Sequence, residues 1–436
     1  MTASRQRADL FSTKLLKVAE RAKRDPEVRF SAIAHLIDEY ALTRAYERLR
    51  RGAAVGVDGV SKDRYGEQLG QNIRDLHGRL RTKRWRHQPI RRVHIPKGQG
   101  KTRPIGISCV EDKIVQTAVS ELLEAVYEPL FSAASFGFRR GRSAHDAVRT
   151  LDQAAYEGRM NWVLEADIQA FFDSVDRRAL MEMIQLRVAD GSLLRLIGKC
   201  LHVGILDGAE YSEPEKGTVQ GSTLSPLLGN IYLHYALDEW FEREVQPRLG
   251  GRALLVRFAD DFVIGFERED DARRVMAVLG ARLGRYGLML HPDKTRLVHF
   301  ERPRTPGGKG PGTFDFVGFT FYWGRSRRGH RVPRVKTRKA SLRRCITTVA
   351  EWCRRHRHLS VKEQHAALTR RIEGHFNYFG VNGNLRSLRV VNHWVGREWR
   401  KWLSRRSQRG RLNWDRMNDL LRDFPLPRPS VRVQIW

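Results

Sequence analysis

Residues 254–266 read Leu-Leu-Val-Arg-Phe-Ala-Asp-Asp-Phe-Val-Ile-Gly-Phe. Two short apolar runs, Leu254 to Phe258 and Phe262 to Phe266, are rich in aromatic and β-branched residues and predict a pair of strands with Asp260-Asp261 at their connection. An acidic turn between strands is most often a solvated loop, so this stretch alone leaves the chemistry open.

A second acidic site 93 residues earlier changes the weighing. Trp162-Val163-Leu164 predicts a short apolar strand ending near Asp167, in Leu164-Glu165-Ala166-Asp167-Ile168-Gln169-Ala170-Phe171-Phe172. Strands that share one sheet would bring the three carboxylates together. Clustered carboxylates repel unless a cation holds them, and hard oxygen ligands suit Mg²⁺. Two such ions about 4 Å apart activate a primer 3′-hydroxyl and stabilise a leaving pyrophosphate, which is nucleotidyl transfer.

Further out, residues 1–50 read as polar amphipathic helix, and Gly52 to Gly59 as a turn-rich break. Arg91 to Ile95 and Pro104 to Ile107 flank a glycine-containing turn and predict a hairpin carrying Arg91, Lys97 and Arg103. Ile114, Val115, Ala118, Leu122 and Val126 recur at helical spacing, and Ser225-Pro226 reads as an N-cap followed by proline at the first helical position. Phe314 to Tyr322 is strand-like, and Leu342, Ile346, Val349 and Cys353 mark a helix whose other faces carry Arg343, Arg344, Arg354 and Arg355.

The 436 residues hold 80 Lys and Arg against 49 Asp and Glu, a net +31. Hydrophobic content of 41% makes this a folded chain rather than a basic tail, and the length suits two or three domains of roughly 150 residues. A surplus of that size on a globular surface points to nucleic acid. Residues 324–436 hold 29 Lys and Arg against 7 Asp and Glu, a net +22, with six of the ten tryptophans. Helical spacing places Trp394 and Trp402 in a core, while the arginines read as an RNA surface. Four cysteines without a C-x-x-C pair exclude a zinc finger and a disulfide framework. No signal core or apolar run approaches the roughly 18 residues of a membrane span, so a soluble, intracellular protein with no membrane partner is expected.

Taken jointly, Phe258-Ala259-Asp260-Asp261, the Asp167 segment, Gly217-Thr218-Val219-Gln220-Gly221 and Phe316-Val317-Gly318-Phe319 resemble the palm motifs of reverse transcriptases. The likeness is strongest to the reverse transcriptase/maturases encoded by bacterial group II introns. Gly56-Val57-Asp58-Gly59, Ile95-Pro96-Lys97, Arg103 to Ile107 and Phe136 to Ser143 extend it in the same order. Val219 and Ser222 stand where the family usually has proline and a second glycine, and Phe258 where tyrosine is commoner.

The resemblance implies an α+β right-hand polymerase: an N-terminal extension and fingers over 1–160, a palm with a small antiparallel sheet over 161–323, and an α-helical thumb and maturase domain over 324–436. It implies two Mg²⁺ ions, with Mn²⁺ as a substitute, held by Asp167, Asp260, Asp261 and the Ile168 carbonyl. Arg91, Lys97 and Arg103 would grip the triphosphate, Phe172 would exclude a 2′-hydroxyl, Gln220-Gly221 would approach nucleotide and template, and Lys294 would neutralise pyrophosphate. For Arg91 and Lys294 a solvated surface role reads equally well. Phe316 to Phe319 would grip the primer end, although an aromatic strand is more often core. The implied partners are intron RNA, bound through Arg343, Arg344, Arg354 and Arg355, an RNA template with DNA primer, dNTPs and a DNA target, with oligomeric state open. No endonuclease module is expected. A free-standing reverse transcriptase in phage defence or beside a CRISPR system, and a maturase with an inactive polymerase, are the alternatives.

Overall fold

A computed structural model describes residues 13–98, 101–208, 210–214, 216–218, 220–303, 312–326, 328–406 and 411–436. Its strands in chain order are β1 (Ile90–Gly98), β2 (Lys101–Ile107), β3 (Trp162–Asp167), β4 (Ile205–Asp207), β5 (Glu210–Ser212), β6 (Ala253–Phe258), β7 (Asp261–Phe266), β8 (Arg296–His299), β9 (Phe314–Phe316), β10 (Phe319–Arg325) and β11 (Arg331–Thr337).

Three small sheets result, ordered β2-β1-β4-β5, β6-β7-β3-β8 and β11-β10-β9. The middle one is antiparallel throughout, and its continuous apolar runs are explained by burial on both faces. Leu164, Ala166, Phe262 and Ile264 face one core, shared with the helix Val110–Tyr127; Val163, Val256 and Val263 face a second, shared with β9 and β10. Alternation along each strand thus distributes apolar side chains between two cores instead of between core and water.

The sequence-predicted strand pair, the Asp167 strand, the basic hairpin and the helix through Ile114 all form. Other readings are corrected. Residues 13–50 hold two α-helices, Thr13–Arg24 and Glu39–Arg48, with a short 3-10 turn Ala34–Leu36 between them, because Pro26 and the following turn interrupt the pattern. Phe314 to Tyr322 is a hairpin: β9 and β10 pair across a Val317-Gly318 turn with φ of +42° and +84°. The helix Ser225–Leu233 is capped by Leu224, so Ser225 lies within its first turn beside Pro226.

The C-terminal helices are Lys339–Arg355, Val361–Phe379, Leu385–Leu403 and Trp414–Asp423. They share their own core of Val349, Cys353, Leu368, Ile372, Phe376, Leu388, Val391, Val395, Trp399 and Met417. The placing of Trp394 in that core is wrong. The buried stripe runs Leu388, Val391, Val395, Trp399, Leu403, which turns Trp394 outward at 39% exposure with Arg397 stacked 4.9 Å from its ring. Trp402 is half-buried. Arg343, Arg344, Arg354 and Arg355 are all exposed, and none forms an ion pair among the described residues. The four cysteines carry free thiols. Among the described residues no helix is long and apolar enough to cross a membrane.

Candidate active site

The register of the middle sheet builds the site. Asp167, the last residue of β3, lies directly opposite Asp261, the first of β7. Phe258 pairs with Asp261 to close the β6–β7 hairpin, leaving Ala259 and Asp260 as its tip. Asp167 and the adjacent Asp260-Asp261, 93 residues apart in sequence, therefore come to one end of one sheet.

Their electrostatics reflect that crowding. Burial pushes the Asp261 carboxyl up to about 7, and the charges of Asp260 and Asp167 add to the rise, while the Val317 amide, which donates to Asp261 Oδ2 at 3.2 Å, and Arg338 oppose it. Asp260 is shifted up for the same first reason, burial, with Asp167 adding and Arg103 and Lys294 opposing. Lys294 Nζ donates to Asp167 Oδ2 at 2.6 Å. The lysine is brought there because His291 N donates to the Asp167 carbonyl at 2.7 Å and Ile168 bridges Leu290.

Four of the five non-glycine residues with positive φ among those described surround this tip: Phe138, Ala170, Ala259 and Val317. Such backbone is sparsely populated and collects where function constrains geometry.

The second row of expected residues separates into those near the tip and those committed elsewhere. Arg103 is exposed on β2, and its charge is felt by Asp260. Lys97 lies on β1, its side chain outside what is described. Arg91, half-buried, donates from Nε and Nη2 to the Val55 carbonyl at 3.1 and 2.7 Å and so pins the turn before β1. Phe171 is buried and Phe172 half-buried, their rings 5.2 Å apart. Thr218 N donates to the Phe172 carbonyl at 2.7 Å, which ties the Gly217 segment behind that ring.

Gln220 accepts at its carbonyl from Gly106 N at 2.7 Å. Gly221 has φ +111°, and a Cβ there would sit 2.4 Å from the Gly106 carbonyl. The close approach that glycine permits is thus to β2 itself. Val219 lies outside the described residues. Phe316 and Phe319 are buried in the second core, so ring contact with a primer is excluded; the half-buried Val317-Gly318 turn is what the hairpin presents. Sequence reading missed Arg257 and Asn230, which pack beneath the tip beside Gly137 of the Phe136–Ser143 motif. A charged residue inside an otherwise apolar strand was the available signal for Arg257.

Among the described residues no three His, Cys, Asp or Glu side chains converge closely enough to hold a metal ion as they stand. Asp167 is drawn to Lys294 and Asp261 to the Val317 amide. The donor set nevertheless fits a hard divalent cation: all-oxygen ligands whose mutual repulsion such an ion relieves, once side-chain rotation frees them.

The family model for reverse transcriptase (RNA-dependent DNA polymerase) matches residues 95–321, which include all three aspartates. The chain belongs to that family. Within it, the relatives include proteins of group II introns: the group II intron-encoded protein LtrA of Lactococcus lactis subsp. cremoris is 36% identical over 213 residues, 47% of this chain and 35% of LtrA. An uncharacterized 91 kDa protein in the cob intron of Schizosaccharomyces pombe is 35% identical over 234 residues, 52% of this chain and 28% of that protein. Protein YkfC of Escherichia coli K12 is 31% identical over 372 residues, 77% of this chain and 91% of YkfC. The match thus spans most of one relative and about a third of the intron-encoded ones.

Proposed function

We propose that the protein is an RNA-directed DNA polymerase that also docks on a group II intron RNA, assisting its splicing and mobility in the bacterial cytoplasm. The observation that carries the polymerase reading is the register that sets Asp167 against Asp261 with Asp260 at the adjoining tip. Residues 1–160 serve as N-terminal extension and fingers, 161–323 as palm, and 324–436 as thumb and maturase domain.

Asp167, Asp260 and Asp261, with the Ile168 carbonyl, are the residues that hold Mg²⁺ or, in its place, Mn²⁺. A pair of such ions supplies a lowered pKa at the primer 3′-hydroxyl and charge neutralisation at the leaving pyrophosphate. The chain does the rest. Arg103 and Lys97 bind the triphosphate from the β1–β2 hairpin, where charge-assisted donors are strongest. Phe172 packs against the sugar, Gln220-Gly221 bounds the nucleotide site from β2, and the Val317-Gly318 turn supports the primer end. Lys294, released from Asp167, neutralises pyrophosphate. The unpaired Arg343, Arg344, Arg354 and Arg355 track RNA phosphates, the C-terminal charge being the support for that half of the reading.

The test is divalent-metal-dependent primer extension on an RNA template by the purified protein, with and without Asp260→Ala plus Asp261→Ala. Extension that survives the double substitution overturns the site. Splicing assistance without any cDNA synthesis by the wild type would favour a maturase with an inactive polymerase. Polymerase activity without intron binding would favour a free-standing enzyme.

A further inference from the structure

Arg257 is the penultimate residue of β6 and has no solvent exposure. Its Nε and Nη2 donate to the two carboxylate oxygens of Asp238 at 2.9 and 2.6 Å. Nη1 donates to Asn230 Oδ1 and to the Ala259 carbonyl, both at 3.0 Å. Asp238 is also fully buried. A buried ion pair is poor at stabilising a fold, because desolvation offsets its Coulomb energy and an apolar pair of like volume does as well or better. What an apolar pair cannot do is hold a carbonyl, and the carbonyl held here belongs to the residue before Asp260.

That residue is strained. Ala259 has φ +58°, in the left-handed region that L-residues rarely adopt. The tip is also pressed from the other side: a Cβ on Gly137 would sit 2.3 Å from Ala259 N and 2.9 Å from Phe258 C. The two constraints share one side chain. Asn230 donates from Nδ2 to the Gly137 carbonyl at 2.8 Å while its Oδ1 receives Arg257.

Helix geometry shows how the partners come to face one strand. Asn230 and Asp238 are eight residues apart, which at about 100° per residue leaves them about 80° apart around an α-helix. Between them the helix switches to a π turn over His234–Asp238. The extra residue in that turn takes up most of the offset, and π turns gather at functional sites.

We propose that Arg257, Asp238 and Asn230 form a buried clamp that fixes Asp260 in place through the Ala259 carbonyl, acting as positioning residues for nucleotidyl transfer without touching substrate. The proposal rests on the reading of Asp260 as a catalytic residue.

It is tested in the full chain with Asn230→Ala, Arg257→Lys and the paired Arg257→Met/Asp238→Leu, beside Asp260→Ala. In the paired variant, kcat for primer extension should fall on the order of tenfold to a hundredfold, with KM for dNTP within about twofold of wild type. Deuterium uptake over residues 258–262, measured without metal, should rise, while melting temperature and RNA affinity stay near wild type. Arg257→Lys keeps the charge but loses the fork and should lie between wild type and the paired variant. Wild-type kcat and uptake in a variant that melts normally would overturn the clamp. Should the paired variant fail to fold, Asn230→Ala, which leaves the ion pair whole, decides by the same two readouts. Wild-type extension by Asp260→Ala would instead sink the reading of Asp260 and the clamp's role with it. A dead Asp260→Ala beside fully active clamp variants sinks the clamp alone.

Discussion

The β6–β7 tip and the helix Lys339–Arg355 handle like charges in opposite ways. At the tip, three carboxylates are brought together in a half-buried, strained setting, where the charge of Asp167 raises the cost of ionising both Asp260 and Asp261, and Asp260 raises it further for Asp261. Along the helix, Arg343, Arg344, Arg354 and Arg355 are fanned into water and form no ion pair among the described residues. Crowded, desolvated charge suits a small, multiply charged ion held at fixed geometry. Spread, solvated charge suits a long polyanion whose counterions it displaces. One molecule therefore carries two electrostatic designs, and each should fail in its own way.

The largest separation is expected from Asp260→Ala plus Asp261→Ala. Extension should drop on the order of a thousandfold or more, with RNA affinity measured by filter binding unchanged. Equal loss of both would mean the two regions are not separable. Reversing Arg343, Arg344, Arg354 and Arg355 to glutamate should weaken RNA binding more than tenfold at moderate salt. It should also flatten the plot of log affinity against log salt by about one unit for each phosphate no longer neutralised. An unchanged slope moves the RNA surface elsewhere, with the outward Trp394 and Arg397 the next place to look.

Asp112 sharpens the contrast from a third position, a buried carboxylate remote from the tip. Burial pushes it up to about 8, with its nearest hydrogen bond coming from Gln88 N at 3.2 Å. A folded pKa raised above the unfolded 3.8 means the folded state binds more protons between those values, so this group's ionisation erodes stability as pH rises from about 4 to about 8. Asp112→Asn should flatten the fall of melting temperature over that range, an effect of the order of a few kcal/mol. A variant with the same slope as wild type would place the pH sensitivity in other groups. The smallest effect should come from Tyr378→Phe, which removes the hydroxyl donated to the Val317 carbonyl at 2.8 Å. About 1 kcal/mol of stability is at stake, with a drop in extension of less than tenfold; no change in either would make the two regions independent.

Much of the site was legible in the sequence because strands announce themselves through composition. The apolar runs around Asp260 and before Asp167 specified β6, β7 and β3, and acids at strand ends are visible as breaks in those runs. What stayed hidden were the commitments of long side chains. Nothing local distinguishes Arg91, spent on the Val55 carbonyl, from Arg103, open to solvent. Nor could spacing assign Trp394 and Trp399, since the helix Leu385–Leu403 offers aromatic residues on neighbouring faces and only packing against Gln364, which accepts from Trp399 Nε1 at 2.9 Å, selects one. The turn at Val317-Gly318 was masked by the aromatic residues on both sides of it, because glycine in a strand reads as a bulge as readily as a reversal.

That turn has a mechanical meaning. Val317 donates its amide to Asp261 and receives at its carbonyl the hydroxyl of Tyr378, which belongs to the helix Val361–Phe379. The Tyr378 hydroxyl is itself pushed up to about 12, by burial first and then by the charge of Asp261. One residue thus couples the carboxylate to the C-terminal helices, like the pivot of a balance. A displacement of that helix would therefore reach Asp261 through a lever one peptide long.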